Sequence, residues 1–259
     1  GIITNSSSAL DTESTPSYSL SVEASDGAAT SNATVTIDVA NVNEGPSAAD
    51  LSETLDEDMN HIITLGGADP ESDNLSFTIS RLPSSSMGKL FQTDDGTALG
   101  SEIIAIGTAV NSSGMVIFVP ESDASGDTNF GYTSSDGEFT SSEANVDVAV
   151  TPTNDGPVFS KSNYSFSINE NSSIGVLIGQ ISASDLEGDS IVYSITSGND
   201  LGLFTIDAAS GIITNTSNAL DTESTSSYSL EVEASDGVAT SGATVTIDVA
   251  NVNEGPSAA

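Results

Sequence analysis

Apolar and polar residues alternate with period two over many short stretches of this chain, and no stretch shows sustained helical periodicity. Within residues 156–254 the pattern predicts seven strands, near Tyr164–Ile168, Val176–Ala183, Ile191–Ile195, Leu203–Ile206, Gly211–Thr214, Tyr228–Ala234 and Ala243–Ala250. Tyr228, Leu230 and Val232 share one face, as do Val245, Ile247 and Val249, so both late strands have a buried side and a wet side. Asp-Gly and Ser-Gly turn signals recur between strands, which is the pattern of an all-β sandwich.

An internal repeat organises the rest. Residues 1–49 and 211–259 are identical at 43 of 49 positions, at a constant offset of 210. The differences pair Ser6 with Thr216, Ser8 with Asn218, Pro16 with Ser226, Ser21 with Glu231, Ala28 with Val238 and Asn32 with Gly242. All six fit loops or a solvent face. A closing phrase also recurs, "NVNEGP" at 41–46 and 251–256 and "TPTNDGP" at 151–157, each after an alternating strand. These marks divide the chain into the C-terminal half of a sandwich domain (1–44), a divergent complete domain (45–155), a second complete domain (156–254) and the start of a further linker (255–259). The expected fold is all-β, with tandem seven-stranded Greek-key sandwiches arranged end to end. The stretch Leu82–Gly114 is longer and less regular and is expected to hold an extra hairpin. Gly1 stands mid-pattern without an initiator Met or secretory signal, so the sequence reads as an excerpt of something longer.

Composition narrows the chemistry. Hydrophobic residues make up 36% and aromatics 5%, with no Trp, so any core is thin and built from Val, Ile, Leu and scattered Phe or Tyr. There is no Cys, which removes disulfides, thiolate metal sites and thiol catalysis. Against 38 Asp plus Glu stand 3 Lys plus Arg, a net charge of −35. Such a polyanion does not seek nucleic acid, and its self-repulsion calls for spreading, screening or bound cations. No apolar run of membrane-spanning length occurs, so no membrane insertion is expected.

The acids cluster at strand ends and linkers. In the last domain they are Glu170 in "INEN", Asp185, Glu187 and Asp189 in "SDLEGD", Asp221 and Glu223 in "LDTE", Asp236 in "ASDG" and Glu254 in "NVNEGP". Carboxylates at i and i+2 on extended or turning backbone can aim at one point, and a hard cation such as Ca2+ gathers oxygens in this way. For any single pair the simpler reading is a solvated loop, and for an isolated Asp-Gly a hairpin turn. Two copies of the joint pattern "LDTE…ASDG…NVNEG" favour cation binding.

Through "INENSSIG", "SASDLEGDSIVYSIT", "LFTIDAASGIIT", "ALDTESTSSYSLEVEASDG" and "VTIDVANVNEGP", the last domain resembles the cadherin family and its bacterial cadherin-like relatives in order and spacing. The middle domain, with "GADPESDNLSFTI" and "NDGP", resembles the tandem cadherin-like repeats of bacterial surface proteins. The resemblance implies calcium shared between adjoining domains. Carried over by position, Asp11, Glu13, Asn41, Asn43 and Glu44 face Asp69, Glu71, Asp73 and Asp136. Glu57, Asn154 and Asp155 meet Asp185, Glu187, Asp189 and Asp236. Glu170, Asp221, Glu223, Asn251, Asn253 and Glu254 form half of a third site. Asn41, Glu44 and Gly45 replace the family's usual Asp, Asp and Asn, and Pro152 takes a ligand position in the second linker, where fewer ions are expected.

Enzyme chemistry finds no support. His61 is the sole histidine and sits at the start of a strand pattern, so it is expected at a core edge or exposed. A glycosidase pair needs a cleft with aromatic platforms, and no Gly-rich phosphate loop is present. The function expected is a calcium-stiffened extender repeat of a giant extracellular bacterial adhesin or matrix fibre supporting cell adhesion, secreted or at the cell surface. The alternative is a carbohydrate-binding or homophilic adhesion module. Expected partners are neighbouring repeats of the same chain, other copies in head-to-tail self-association through the incomplete 1–44 segment, and polysaccharide.

Overall fold

A computed structural model of the protein describes residues 1–6 and 10–255. Ser8 of the repeat comparison, and all but Gly255 of the expected further linker, lie outside the described residues. The chain divides into two compact units, Gly1–Thr153 and Asn154–Ala259. The described residues form strands, turns and loops with no helix.

The first unit opens with β1 (Ser17–Ser25) and β2 (Thr30–Asp38), an antiparallel ribbon placing Tyr18 opposite Ile37 and Val22 opposite Ala33. It continues with β3 (Ser47–Ala48), β4 (Leu51–Asp56), β5 (His61–Thr64), β6 (Gly67–Ala68), β7 (Ser76–Arg81), β8 (Gly88–Gln92), β9 (Thr108–Ala109), β10 (Met115–Pro120), β11 (Gly126–Ser135) and β12 (Ala144–Thr151). The second unit contains β13 (Val158–Phe159), β14 (Asn163–Asn169), β15 (Leu177–Gln180), β16 (Ala183–Ser184), β17 (Val192–Ser197), β18 (Phe204–Ile206), β19 (Ile212–Asn215), β20 (Ser227–Ser235) and β21 (Thr240–Ala250).

Both units are two-sheet sandwiches with one strand order. The sheets run β4-β12-β11-β7-β9 and β5-β10-β8 in the first unit, β14-β21-β20-β17 and β15-β19-β18 in the second. Apart from the edge strand β9, position matches position. In each the first long strand lies parallel to the last, Leu55 beside Val150 and Ile168 beside Val249. A parallel pair needs a long crossover, here the whole intervening domain, so this pairing ties the start of each sandwich to its end.

Alternation builds the cores. Ala144, Val146, Val148 and Val150 of β12 point inward and are buried, packing with Phe118, Phe130 and Tyr132. Ala243, Val245, Ile247 and Val249 of β21 do the same beside Leu230, Val232 and Phe204. Each fully buried Leu, Val, Ile or Phe side chain contributes about 1.5–3 kcal/mol relative to exposure. Three hairpins close alike: the carboxylates of Asp26, Asp136 and Asp236 each accept backbone N–H bonds from the residues two and three further on, at 2.6–2.8 Å. The following glycines, Gly27, Gly137 and Gly237, have φ of 89°, 102° and 99°, where a side chain is strained.

One local expectation changes. Val176–Ala183 is not one strand: β15 ends at Gln180, Ile181 N–H bonds Gly211 O at 3.0 Å, and β16 then pairs with β13. Within Leu82–Gly114 the chain folds back on β8, with an antiparallel bridge between Phe91 and Glu102, Gln92 N–H bonding Ser101 O at 2.9 Å and Ile103 N–H bonding Leu90 O at 2.8 Å, and β9 then joins β7 at the sheet edge. Buried Gln92 fixes the returning loop, donating to Ala109 O at 2.8 Å and accepting from Asn111 N at 3.0 Å. His61 opens β5, half-buried, with Nε2 2.9 Å from a Glu53 carboxylate oxygen.

Candidate cation-binding loops

The Asp-Thr-Glu-Ser turns share one set of internal bonds in both repeat copies. Asp11 Oδ1 accepts from Glu13 N at 3.0 Å, and Asp221 Oδ1 from Glu223 N at 2.9 Å. Ser14 and Ser224 hydroxyls donate to the second carboxylate oxygens at 2.8 and 2.9 Å. Thr12 and Thr222 hydroxyls reach Val39 O and Val249 O at 3.0 and 2.8 Å, pinning each turn to the strand before the linker. Hydrogen bonds from these serines hold Asp11 and Asp221 below the usual carboxylate range.

In the first unit the linker meets the acid-rich loop after β6. Asn43 Nδ2 donates to Asp136 Oδ2 at 3.0 Å, Glu44 N–H to Glu71 Oε2 at 3.3 Å, and Asp73 N–H to Asp69 Oδ1 at 3.0 Å. Glu13, Glu44 and Glu71 each present a carboxylate oxygen, all three within 4.8 Å of one another. The second unit repeats the arrangement at its own start. Asn154 Nδ2 donates to Asp236 Oδ2 at 2.9 Å, Asp155 N–H to Glu187 Oε2 at 3.2 Å, and Asp189 N–H to Asp185 Oδ1 at 2.9 Å.

Three oxygens in these loops carry the strongest signal. Asp69 Oδ2 and Glu71 Oε1 in the first unit, and Asp185 Oδ2 in the second, are buried with no hydrogen-bond partner. A buried polar atom left unpaired costs about 1–3 kcal/mol, more when charged, and a cation removes that cost. Crowding shows in the titration as well. Sharing a proton with Glu71, loss of water contact and the nearby Glu71, Glu13 and Asp11 charges push the Glu44 carboxyl up to about 7. Glu13 is raised by loss of water contact, then by Asp11 and Glu71. Hard oxygen donors gathered from several loops fit Ca2+ in type and charge.

Glu57 and Glu170 differ from the other candidates. Both are buried, and both latch backbone. Glu57 Oε1 accepts from Thr153 N at 2.8 Å. Glu170 Oε2 accepts from Thr222 N at 2.9 Å and Oε1 from Val252 N at 2.7 Å, which holds its carboxyl below the usual range. Glu170 still shares a cluster with Asp221 and Glu223, one oxygen of each within 4.8 Å of the others. Glu254 accepts from Asn171 Nδ2 and Glu223 from Asn251 Nδ2, both at 2.6 Å. Asn41 and Asn253 are exposed. Sequence reasoning missed the latch, the orienting serines Ser14 and Ser224, and Asn171. The Asp-x-x-Ser spacing signals the serines, and the alternating polar "NEN" gives no comparable sign of a left-handed Asn171, whose φ is 56°.

Known proteins match this chain in part. Residues 164–250 match the family model described as Cadherin domain. Cadherin-99C of Drosophila melanogaster is 40% identical over 117 residues, covering 44% of this chain and 7% of that protein. Human Protocadherin-15 is 42% identical over 100 residues, covering 38% of this chain and 5% of its own length. The chain thus spans a small fraction of these curated relatives. Among solved structures, human CDH23 EC21-23 superposes with a TM-score of 0.61 at 20% identity, covering 92% of this chain and 76% of that one. Mouse Protocadherin-24 EC1-3 gives 0.57 at 18%, covering 93% and 82%. The chain therefore has the β-sandwich fold of cadherin extracellular domains, and residues 164–250 are similar in sequence to the cadherin domain family.

Proposed function

We propose that this chain is a calcium-stiffened extender segment of a large extracellular adhesion protein, made of a half-domain (1–44), two domains (45–155 and 156–254) and the start of a further linker (255–259). The observation that carries the reading is the recurrence of one geometry: a linker Asn on an Asp-Gly turn, a linker acid on a Glu, and a buried Asp oxygen without a partner, once in each unit. The ligand set comprises Asp11, Glu13, Asn41, Asn43, Glu44, Asp69, Glu71, Asp73 and Asp136 at the first linker, Glu57, Asn154, Asp155, Asp185, Glu187, Asp189 and Asp236 at the second, and Glu170, Asp221, Glu223, Asn251, Asn253 and Glu254 as a half-site. Ca2+ there neutralises carboxylates that otherwise repel and fixes each linker to the next domain.

The relatives' cadherin and protocadherin names support cell adhesion and a cell-surface or secreted setting. A giant bacterial adhesin or matrix fibre is supported by the resemblance of residues 45–155 to bacterial surface repeats and by the net charge of −35. The named relatives are animal proteins. No helix of the described residues is long and apolar enough to cross a membrane. Polysaccharide capture has little to work with, since Phe139 is the one exposed aromatic among the described residues. Small-angle scattering in calcium and in chelator tests the reading: a maximum dimension that shortens and broadens on chelation is expected, and an unchanged one overturns it.

A further inference from the structure

Each unit fastens its first long sandwich strand to its last in parallel, and each places the same buried acid at the end of that pair. β4 pairs with β12 over six positions, from Leu51 beside Val146 to Asp56 beside Thr151. β14 pairs with β21 over seven, from Asn163 beside Thr244 to Asn169 beside Ala250. The residue after each first strand is a glutamate, Glu57 or Glu170, and both are 2% exposed. Its N–H donates to the carbonyl of the last strand's final residue, Thr151 at 2.9 Å and Ala250 at 3.0 Å. Its carboxylate accepts from the N–H two residues further on, Thr153 at 2.8 Å and Val252 at 2.7 Å. Glu57 and Glu170 therefore continue the ladder past the point where both strands end, with a charge-assisted bond shielded from water.

The direction of load decides what such a pair can withstand. Parallel strands pulled from the start of one and the end of the other slide past each other, so every rung between them is strained at once. Pulled apart from the same end, they open one rung at a time. Tension that enters ahead of the first strand and leaves after the last loads each sandwich in the first way.

We propose that β4–β12 and β14–β21, with Glu57 and Glu170 as pins, are shear clamps that make each sandwich a load-bearing element along the chain. Each clamp lies wholly within its own unit. This is a mechanical role for the folded units themselves, separate from any cation at the linkers. The second clamp has one rung more, and its pin is the stronger, since the other oxygen of Glu170 also holds Thr222 N–H at 2.9 Å.

Optical-tweezer pulling on the full chain in chelator tests the clamp. The protein has no cysteine, so introduced thiols alone carry the handles. Handles at Lys161→Cys and Gly255→Cys load the second clamp in shear, and handles at Lys161→Cys and Gly242→Cys peel it from its first rung. All three positions are exposed. At one fixed load the peeled clamp is expected to open at least about tenfold faster, because each further rung strained at the same time slows rupture about fivefold. Glu170→Gln is expected to speed opening about fivefold in shear and to leave peeling unchanged, because peeling reaches Glu170 last. Equal rates in the two geometries would overturn the clamp, and equal acceleration by Glu170→Gln in both would overturn the pin. The first comparison needs no change at Glu170, so it decides even where that variant fails to fold. Calcium is absent throughout, so failure here leaves the calcium reading standing, and scattering unchanged by chelation leaves the clamp standing.

Discussion

The two repeat copies are an internal experiment in what local sequence decides and what it does not. The bonds inside their Asp-Thr-Glu-Ser turns and Asp-Gly hairpins recur in both copies, because these donors lie within three residues of their acceptors. Their burial diverges, because in the second copy the apolar faces pack against strands drawn from residues 156–210, a tertiary contact that the repeat sequence itself does not contain. Charge follows the same division. In the first copy Glu44 crowds Glu71, whereas in the second Glu254 accepts from Asn171.

The sharpest way to break this comparison is one substitution made twice. Leu230→Asp places a carboxylate in a closed core and is expected to unfold the second unit, a loss of about 4 kcal/mol or more. Leu20→Asp, at the equivalent exposed site, is expected to cost under about 0.5 kcal/mol. Urea unfolding followed by circular dichroism reads both, and equal losses would refute the claim that only one copy is covered.

A smaller effect is expected at the latch. Glu170→Gln keeps the shape but removes the charge that Thr222 N–H and Val252 N–H address, for a loss of about 1–2 kcal/mol in the second unit without added metal. Among the described residues no carboxylate latches Thr12 N–H, so in this chain the two turns should separate in hydrogen exchange, with Thr222 protected and Thr12 not.

The smallest effect concerns protons. Glu44 is raised, so its favourable term is present when it is protonated and fades as pH rises from the ordinary value near 4.5 through about 7. Calcium binding at pH 6 should then release protons, and at pH 8.5 none from this group. Calorimetry in two buffers of different ionisation enthalpy counts them. The lowered carboxyls of Asp136 and Asp236 act oppositely, stabilising above the ordinary Asp value and failing as pH falls.

The strands of the second unit were legible because alternation is strict there and turn chemistry bounds it. Val176–Ala183 misled because a bulge between Leu177 and Gly179 and the early stop at Gln180 leave no mark in the apolar pattern. In Leu82–Gly114 the fold depends on buried Gln92, which shares the inward face of β8 with Leu90 although its polarity reads as outward. The acid clusters were visible as spacing, but burial of Asp69 Oδ2, Glu71 Oε1 and Asp185 Oδ2 is a tertiary property. So is the twofold role of Glu170, which the sequence marks only as an acid before a turn.

The central claim is that carboxylates of the first linker and of the loop Asp69–Asp73 share a divalent cation. A crystal of the full chain grown in millimolar calcium tests it most directly. The account predicts an ion about 2.3–2.6 Å from Asp69 Oδ2 and Glu71 Oε1, with Glu13 and Glu44 in the same sphere. Water alone at those oxygens, with Glu13 and Glu44 turned away from Glu71, would contradict it.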